Sequence, residues 1–96
     1  MSEYQLSKKA DEDLQRTYEF SIQQFGQDVA DEYFLSLRDC LMQVADSPKL
    51  GKDCSEIVPD YFRFECGPHS IFYKMGKKRI VIVRVIHQSM NPDIHM

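Results

Sequence analysis

An α+β fold, with a helical hairpin laid against a sheet, is predicted by three observations. Ile80-Val81-Ile82-Val83-Arg84-Val85-Ile86-His87 is a β-branched run broken by a single arginine. Residues 61–66 and 69–75 are two further strand-like runs, and residues 8–46 carry apolar side chains at helical spacing. Branching at Cβ stiffens χ1 and suits a pleated, packed surface better than a helix. Gly67-Pro68 and Gly76-Lys77-Lys78 fall between the runs, where a positive φ or a missing donor marks a turn. The last three runs therefore read as a three-stranded antiparallel meander.

The earlier elements follow in order. Glu3-Tyr4-Gln5-Leu6-Ser7 alternates polar with apolar, as a short N-terminal strand does. Ser7 is placed to N-cap a helix starting at Lys8, and Asp11, Glu12 and Asp13 suit the positive end of its dipole. Ala10, Leu14, Tyr18, Ile22 and Phe25 form one apolar face, and Gly26 ends the helix. A second helix opens at Gln27-Asp28, buries Ala30, Tyr33, Phe34, Leu37, Leu41, Val44 and Ala45, and closes at Ser47-Pro48. So short a link makes the two helices a tight hairpin. Residues 48–60 read as a connecting loop, with a turn at Leu50-Gly51-Lys52-Asp53 and Ile57-Val58 pinning it to the core. Residues 88–96 show no periodicity, and their end is expected to be mobile.

One hairpin covers one face of a sheet, yet the last strand is apolar on both. By strict alternation Ile80, Ile82 and Ile86 point one way and Val81, Val83 and Val85 the other. Three exposed residues of this kind forgo burial worth roughly 1.5–3 kcal/mol each. A further layer is therefore expected, from the tail, a second copy of the chain or a second polypeptide.

Composition narrows the class. Ninety-six residues suit one domain, 1–96, and 43% hydrophobic with 28% charged residues is ordinary for a globular chain. No run approaches the ~20 apolar residues of a membrane span and no signal-peptide core is visible, so a cytoplasmic location without membrane contact is expected. The net charge of −3 conceals a split: residues 1–60 carry −7 and residues 61–96 carry +4. A chain without a basic excess is not expected to bind nucleic acid directly by sequence. Cys40, Cys54 and Cys66 are odd in number and lack a close pair, which fits reduced thiols, Cys40 and Cys66 serving as small buried hydrophobes. Cys54, Cys66, His69 and His87 lack the short paired steps of a structural zinc site, so no metal or cofactor is expected.

The side chains with chemical potential lie on the meander: Arg63, His69, Tyr73, Lys74, Arg84 and His87. Imidazoles and arginines on a concave sheet are what metal-free RNA cleavage requires, an acid, a base and a cation for the phosphorane. The competing reading is structural, with Arg84 half-buried and ion-paired, Arg63 paired to Glu65 and His69 serving the turn.

The pattern Tyr61-x-Arg63, Gly67-x-His69-x-Ile71-Phe72-Tyr73 and Ile80-x-Ile82-x-Arg84-x-Ile86-His87-x-x-Met90 resembles the ParE branch of the RelE/ParE toxin superfamily. Gly51-Lys52-x-Cys54-x-Glu56-Ile57 and Phe25-Gly26 fit it too. The resemblance implies a strand, helix, helix, meander fold and the toxin of a type II toxin–antitoxin pair. ParE-like members of the superfamily poison DNA gyrase; RelE-like members cut messenger RNA on the ribosome, with a basic surface and a late tyrosine. This chain is acidic and has no tyrosine after Tyr73. The expectation is therefore a gyrase inhibitor without catalytic residues, the alternatives being a ribosome-dependent endoribonuclease or a non-toxic binding module. Arg63, His69, Tyr73, Arg84, His87 and Met90 are the candidates for binding the target or a cognate antitoxin. An antitoxin that supplies the missing layer would set acidic side chains against Arg63, Arg84 and Lys77-Lys78-Arg79, and apolar ones against the Val/Ile face or Met90.

Overall fold

The two helices form where the apolar spacing places them, and a short strand on either side joins them to the sheet. In a computed structural model describing residues 3–54 and 59–87, the chain runs β1 (Tyr4–Leu6), α1 (Lys8–Phe25) and α2 (Gln27–Asp46). A 3-10 turn (Pro48–Leu50), β2 (Lys52–Asp53), β3 (Phe62–Cys66), β4 (His69–Met75) and β5 (Ile80–His87) follow. Ser7 caps α1 as expected: its hydroxyl accepts from the Ala10 N–H at 3.0 Å and donates to the Val83 carbonyl at 2.7 Å. The helix start is thus fastened to β5. Gly26, at φ 91°, allows the chain to turn between the helices in a region that L side chains rarely adopt.

Among the described residues the sheet has five strands, in the order β1-β5-β4-β3-β2, where the sequence suggested four. The unforeseen one is β2, a two-residue pairing of Lys52 and Asp53 with Arg63 and Phe62 inside the stretch read as a loop. Two residues are too few to leave a periodic signature. The meander is antiparallel as expected, but β1 lies parallel to β5, so the sheet is mixed. β1 occupies the edge beside β5, and the helical hairpin then carries the chain to β2 at the opposite edge. The Ser7 N–H continues the β1–β5 ladder to the Ile82 carbonyl at 2.9 Å.

Both helices pack on one face of the sheet. Ala10, Leu14, Leu37, Leu41 and Val44 meet Ile71, Tyr73, Ile80, Ile82 and Val85 in the main core. The α1 stripe departs from expectation at its end: Ser21 is buried while Phe25 is 65% exposed.

Strict alternation along β5 fails at a bulge. Tyr73 pairs with Ile82 and Phe72 with Arg84, leaving Val83 as the extra residue. Beyond it the faces exchange. Val85 joins Ile80 and Ile82 in the main core, and Ile86 turns to the far face with Phe72. That far face is not left open there. Cys54 and Tyr61 pack on Phe72 and Ile86, which are 0% and 2% exposed, and Val81 and Val83 are half-buried. The expected row of three uncovered valines is thereby corrected. Ile57, Val58, Met90 and the expected mobile tail lie outside the described residues.

A second correction concerns the cysteines. Cys40 on α2 and Cys66 at the end of β3 form a disulfide, with Cα atoms 6.2 Å apart, while Cys54 is free and buried. The two are 26 residues apart in sequence, and only the packing of α2 over β3 brings them together. Among the described residues, no helix is long and apolar enough to cross a membrane.

Candidate functional site

A groove of about 580 Å³ opens where the C-terminal part of α1 and the N-terminal part of α2 overhang the end of the meander. Its floor is Pro68 and His69 from the β3–β4 hairpin, with Val85 and His87 from β5. Phe20, Phe25 and Val29 form the helical rim, exposed by 58%, 65% and 47%. Three large apolar groups on one rim are more than scattered surface hydrophobes require. Phe20 lies off the apolar stripe of α1, which was the available signal that it serves something other than the core.

Polar groups converge at the base. His69 starts β4 and pairs directly with His87 across the ladder, their rings edge to face with centroids 5.2 Å apart. The Tyr33 hydroxyl hydrogen-bonds Nδ1 of His69. His69 is buried, and burial together with the nearby His87 lowers its pKa to about 4, Asp13 opposing. Its imidazole is therefore neutral at neutral pH. Burial also raises the pKa of Tyr33, which keeps its proton. Tyr33 read from the sequence as core, since its place on the α2 stripe carries no sign of the histidine that meets it.

Beneath this layer lies a buried ion pair. Nε and an Nη of Arg84 donate to the two carboxylate oxygens of Asp13 at 2.8 and 2.9 Å, and the Val85 N–H donates to the same carboxylate at 3.0 Å. The hydrogen bond to Asp13 is the main reason that the Arg84 pKa is raised. The sequence assigned Asp13 to the helix dipole with Asp11 and Glu12, and the structure corrects this: Asp13 sits beside Leu14 on the inward face of α1. Its spacing of three from Ala10 was the signal. The ion-paired reading of Arg84 holds, although the side chain is buried and not half-buried.

The remaining candidates lie elsewhere. Tyr73 is wholly buried in the main core; its hydroxyl donates to the Pro48 carbonyl at 2.6 Å and accepts from the Gly51 N–H at 2.9 Å. A Cβ at Gly51 would lie 2.2 Å from that hydroxyl, so the position takes only glycine without a shift. Arg63 lies on the far face, paired with Glu65 and with its guanidinium 5.7 Å from the Phe72 ring centroid. Arg79, in the basic turn, lies 3.5 Å from Glu3. His69 and His87 are thus brought together with Arg84 beneath them, whereas Arg63 and Tyr73 are separated from them by the sheet and the core. Met90 is outside the described residues. No group of three or more His, Cys, Asp or Glu able to hold a metal is found among the described residues.

Comparison with known proteins adds an independent line. Residues 4–92 match the family described as the ParE toxin of type II toxin-antitoxin system, parDE. A Mycobacterium tuberculosis protein named Toxin ParE1 is 34% identical over 93 residues, covering 96% of this chain and 95% of that protein. A Caulobacter vibrioides Toxin ParE1 is 34% identical over 96 residues, covering 100% and 99%. In structure, the chain resembles one from the chromosomal ParDE TA system of P. aeruginosa, with a TM-score of 0.78 at 19% identity over 91% of this chain and 96% of that one.

Proposed function

The chain belongs to the ParE toxin family of type II toxin–antitoxin systems, and on that premise we propose that it is a cytoplasmic toxin that inhibits DNA gyrase by binding. It has no catalytic chemistry of its own, and residues 1–96 act as one toxin domain. The observation that carries this reading is the dispersal of the groups that RNA cleavage would need. His69 is neutral and hydrogen-bonded to Tyr33, Arg84 is committed to Asp13 and Tyr73 is in the core. Arg16 shares the groove with His69 and His87. Among the described residues, however, the candidate arginines are tied to carboxylates, Arg84 to Asp13 and Arg63 to Glu65 on the far face, and His69 is tied to Tyr33. This supports target binding over hydrolysis. Neutralisation follows from a cognate antitoxin whose apolar side chains occupy the groove rimmed by Phe20, Phe25 and Val29, in the manner of a flexible segment that folds on binding. His69 and His87 belong to that surface.

Induction in cells with separate measurement of DNA, RNA and protein synthesis tests the proposal. DNA synthesis is expected to stop first, and purified protein is expected to inhibit supercoiling by gyrase. Translation halting within minutes while replication continues would refute it. Co-expression of the neighbouring antitoxin is expected to restore growth.

A further inference from the structure

Cys40 and Cys66 are absent from the proposed mechanism, yet they join the two layers of the fold beside the groove. Cys66 is the last residue of β3 and the direct ladder partner of His69. The groove floor begins two residues after it, at Pro68. On α2, Tyr33 and Cys40 are seven residues apart, two helical turns along one face. That face reaches the end of the hairpin twice: Tyr33 holds His69 by a hydrogen bond, and Cys40 holds Cys66 by a covalent bond. Both cysteines are half-buried, so a small reagent can reach them, whereas Cys54 is buried in the separate cluster with Phe72 and Ile86. Burial raises the pKa of the Cys54 thiol, which further lowers its reactivity.

We infer that Cys40 and Cys66 form a reversible thiol–disulfide latch, a modification site whose state sets how firmly α2 holds the β3–β4 hairpin. The partner of the reaction is a low-molecular-weight disulfide such as oxidised glutathione. The thiolate of one cysteine attacks it, forming a mixed disulfide and releasing one glutathione thiolate, which takes up a proton. The second cysteine gives up its proton and attacks the mixed disulfide at the protein sulfur, releasing the second glutathione. The two cysteines lose two electrons and two protons, and glutathione disulfide gains them as two thiols. Bridges in a reducing compartment are of this transient kind rather than permanent staples. With the latch open, the Tyr33–His69 hydrogen bond remains between α2 and the end of the hairpin, so the groove floor opens locally more often.

The experiment needs no antitoxin and no gyrase, so its result is independent of the toxin reading. The purified full-length chain is equilibrated with oxidised or reduced glutathione, then unfolded, alkylated and weighed. One alkylated thiol is expected after oxidation, at Cys54, and three after reduction. Thermal melting of the unaltered chain is expected to fall by about 10–20 °C on reduction, the shift that a closed loop of this size implies for a small domain. Amide exchange at residues 66–70 is expected to rise at least ~10-fold, with the β1–β5 pairing little changed. Cys40→Ser and Cys66→Ser should abolish the response, and Cys54→Ser should retain it. Three free thiols after oxidation, a bridge that reduced glutathione leaves intact, or a reversible bridge without effect on melting and exchange would each overturn the inference.

Discussion

Asp13 and Arg84 are 71 residues apart in sequence and joined by two side-chain hydrogen bonds, with their side chains 6% and 10% exposed. The pair fastens α1 to β5 at the point where the bulge at Val83 interrupts the ladder. Asp13 also takes the Val85 N–H, so it completes backbone pairing that the bulge disturbs. Removing either partner leaves a buried charge uncompensated.

Asp13→Ala and Arg84→Ala are each expected to cost about 3–5 kcal/mol in urea unfolding. The double variant Asp13→Leu with Arg84→Met is expected to recover much of that loss, since apolar residues of similar volume tolerate the site. A double variant as unstable as the sum of the singles would show that the two residues act independently.

A pH dependence follows from His69. Its folded pKa, about 4, lies below the ordinary 6.5, so between these values the unfolded chain binds the proton more readily. The contribution of neutral His69 is present in full above about pH 6.5 and is lost as pH falls towards 4. The loss over this window is on the order of 3 kcal/mol or less. Unfolding measured from pH 7 to pH 4 should show a shallower decline for His69→Gln than for the natural chain. Parallel slopes would place the sensitivity elsewhere.

Tyr73 should behave as a strut. Tyr73→Phe keeps the ring stacked on Phe62, 5.6 Å between centroids, but leaves the Pro48 carbonyl and the Gly51 N–H without their partner. A loss of about 1–3 kcal/mol is expected, with antitoxin affinity unchanged once the protein is folded. Reduced affinity at full stability would return Tyr73 to the binding surface.

Much of this was legible because side-chain shape and spacing act locally. The bounds of α1, β4 and β5 follow from capping, turn residues and β-branching, and the structure reproduces them. What failed was the inference from parity. A bulge needs only one residue left out of the ladder, and an unbroken Ile/Val run offers no composition change to mark it. The side of the sheet on which Ile86 and Val85 lie was consequently misread, and with it the place of the open apolar surface. The sequence indicated an ion pair for Arg84 without naming its partner, and the sulfur pairing was out of reach. Asp13 and Cys40 meet partners far along the chain, and nothing in their immediate sequence names Arg84 or Cys66. Of the groove, the sequence named the floor residues His69 and His87 but missed the rim, whose available signal was an anomaly, an aromatic at Phe20 outside the stripe that packs the helix.

That anomaly supplies the last prediction. Phe20, Phe25 and Val29 are exposed in the isolated chain, so replacing them removes little buried area and should not lower stability. If an antitoxin segment covers this rim, the same side chains become the buried centre of an interface, where truncating an aromatic anchor costs about 2 kcal/mol or more. Phe20→Ser and Phe25→Ser are therefore each expected to weaken antitoxin binding at least ~30-fold, with melting unchanged or slightly raised. Arg63→Ala, on the far face, serves as the control and should bind almost normally. In cells the two rim variants should escape neutralisation and arrest growth even with antitoxin present, provided that the target does not use the same rim. Loss of both toxicity and antitoxin binding would mean that the two partners compete for this groove. Full affinity in the rim variants, with affinity lost in Arg63→Ala, would move the interface to the opposite side of the sheet.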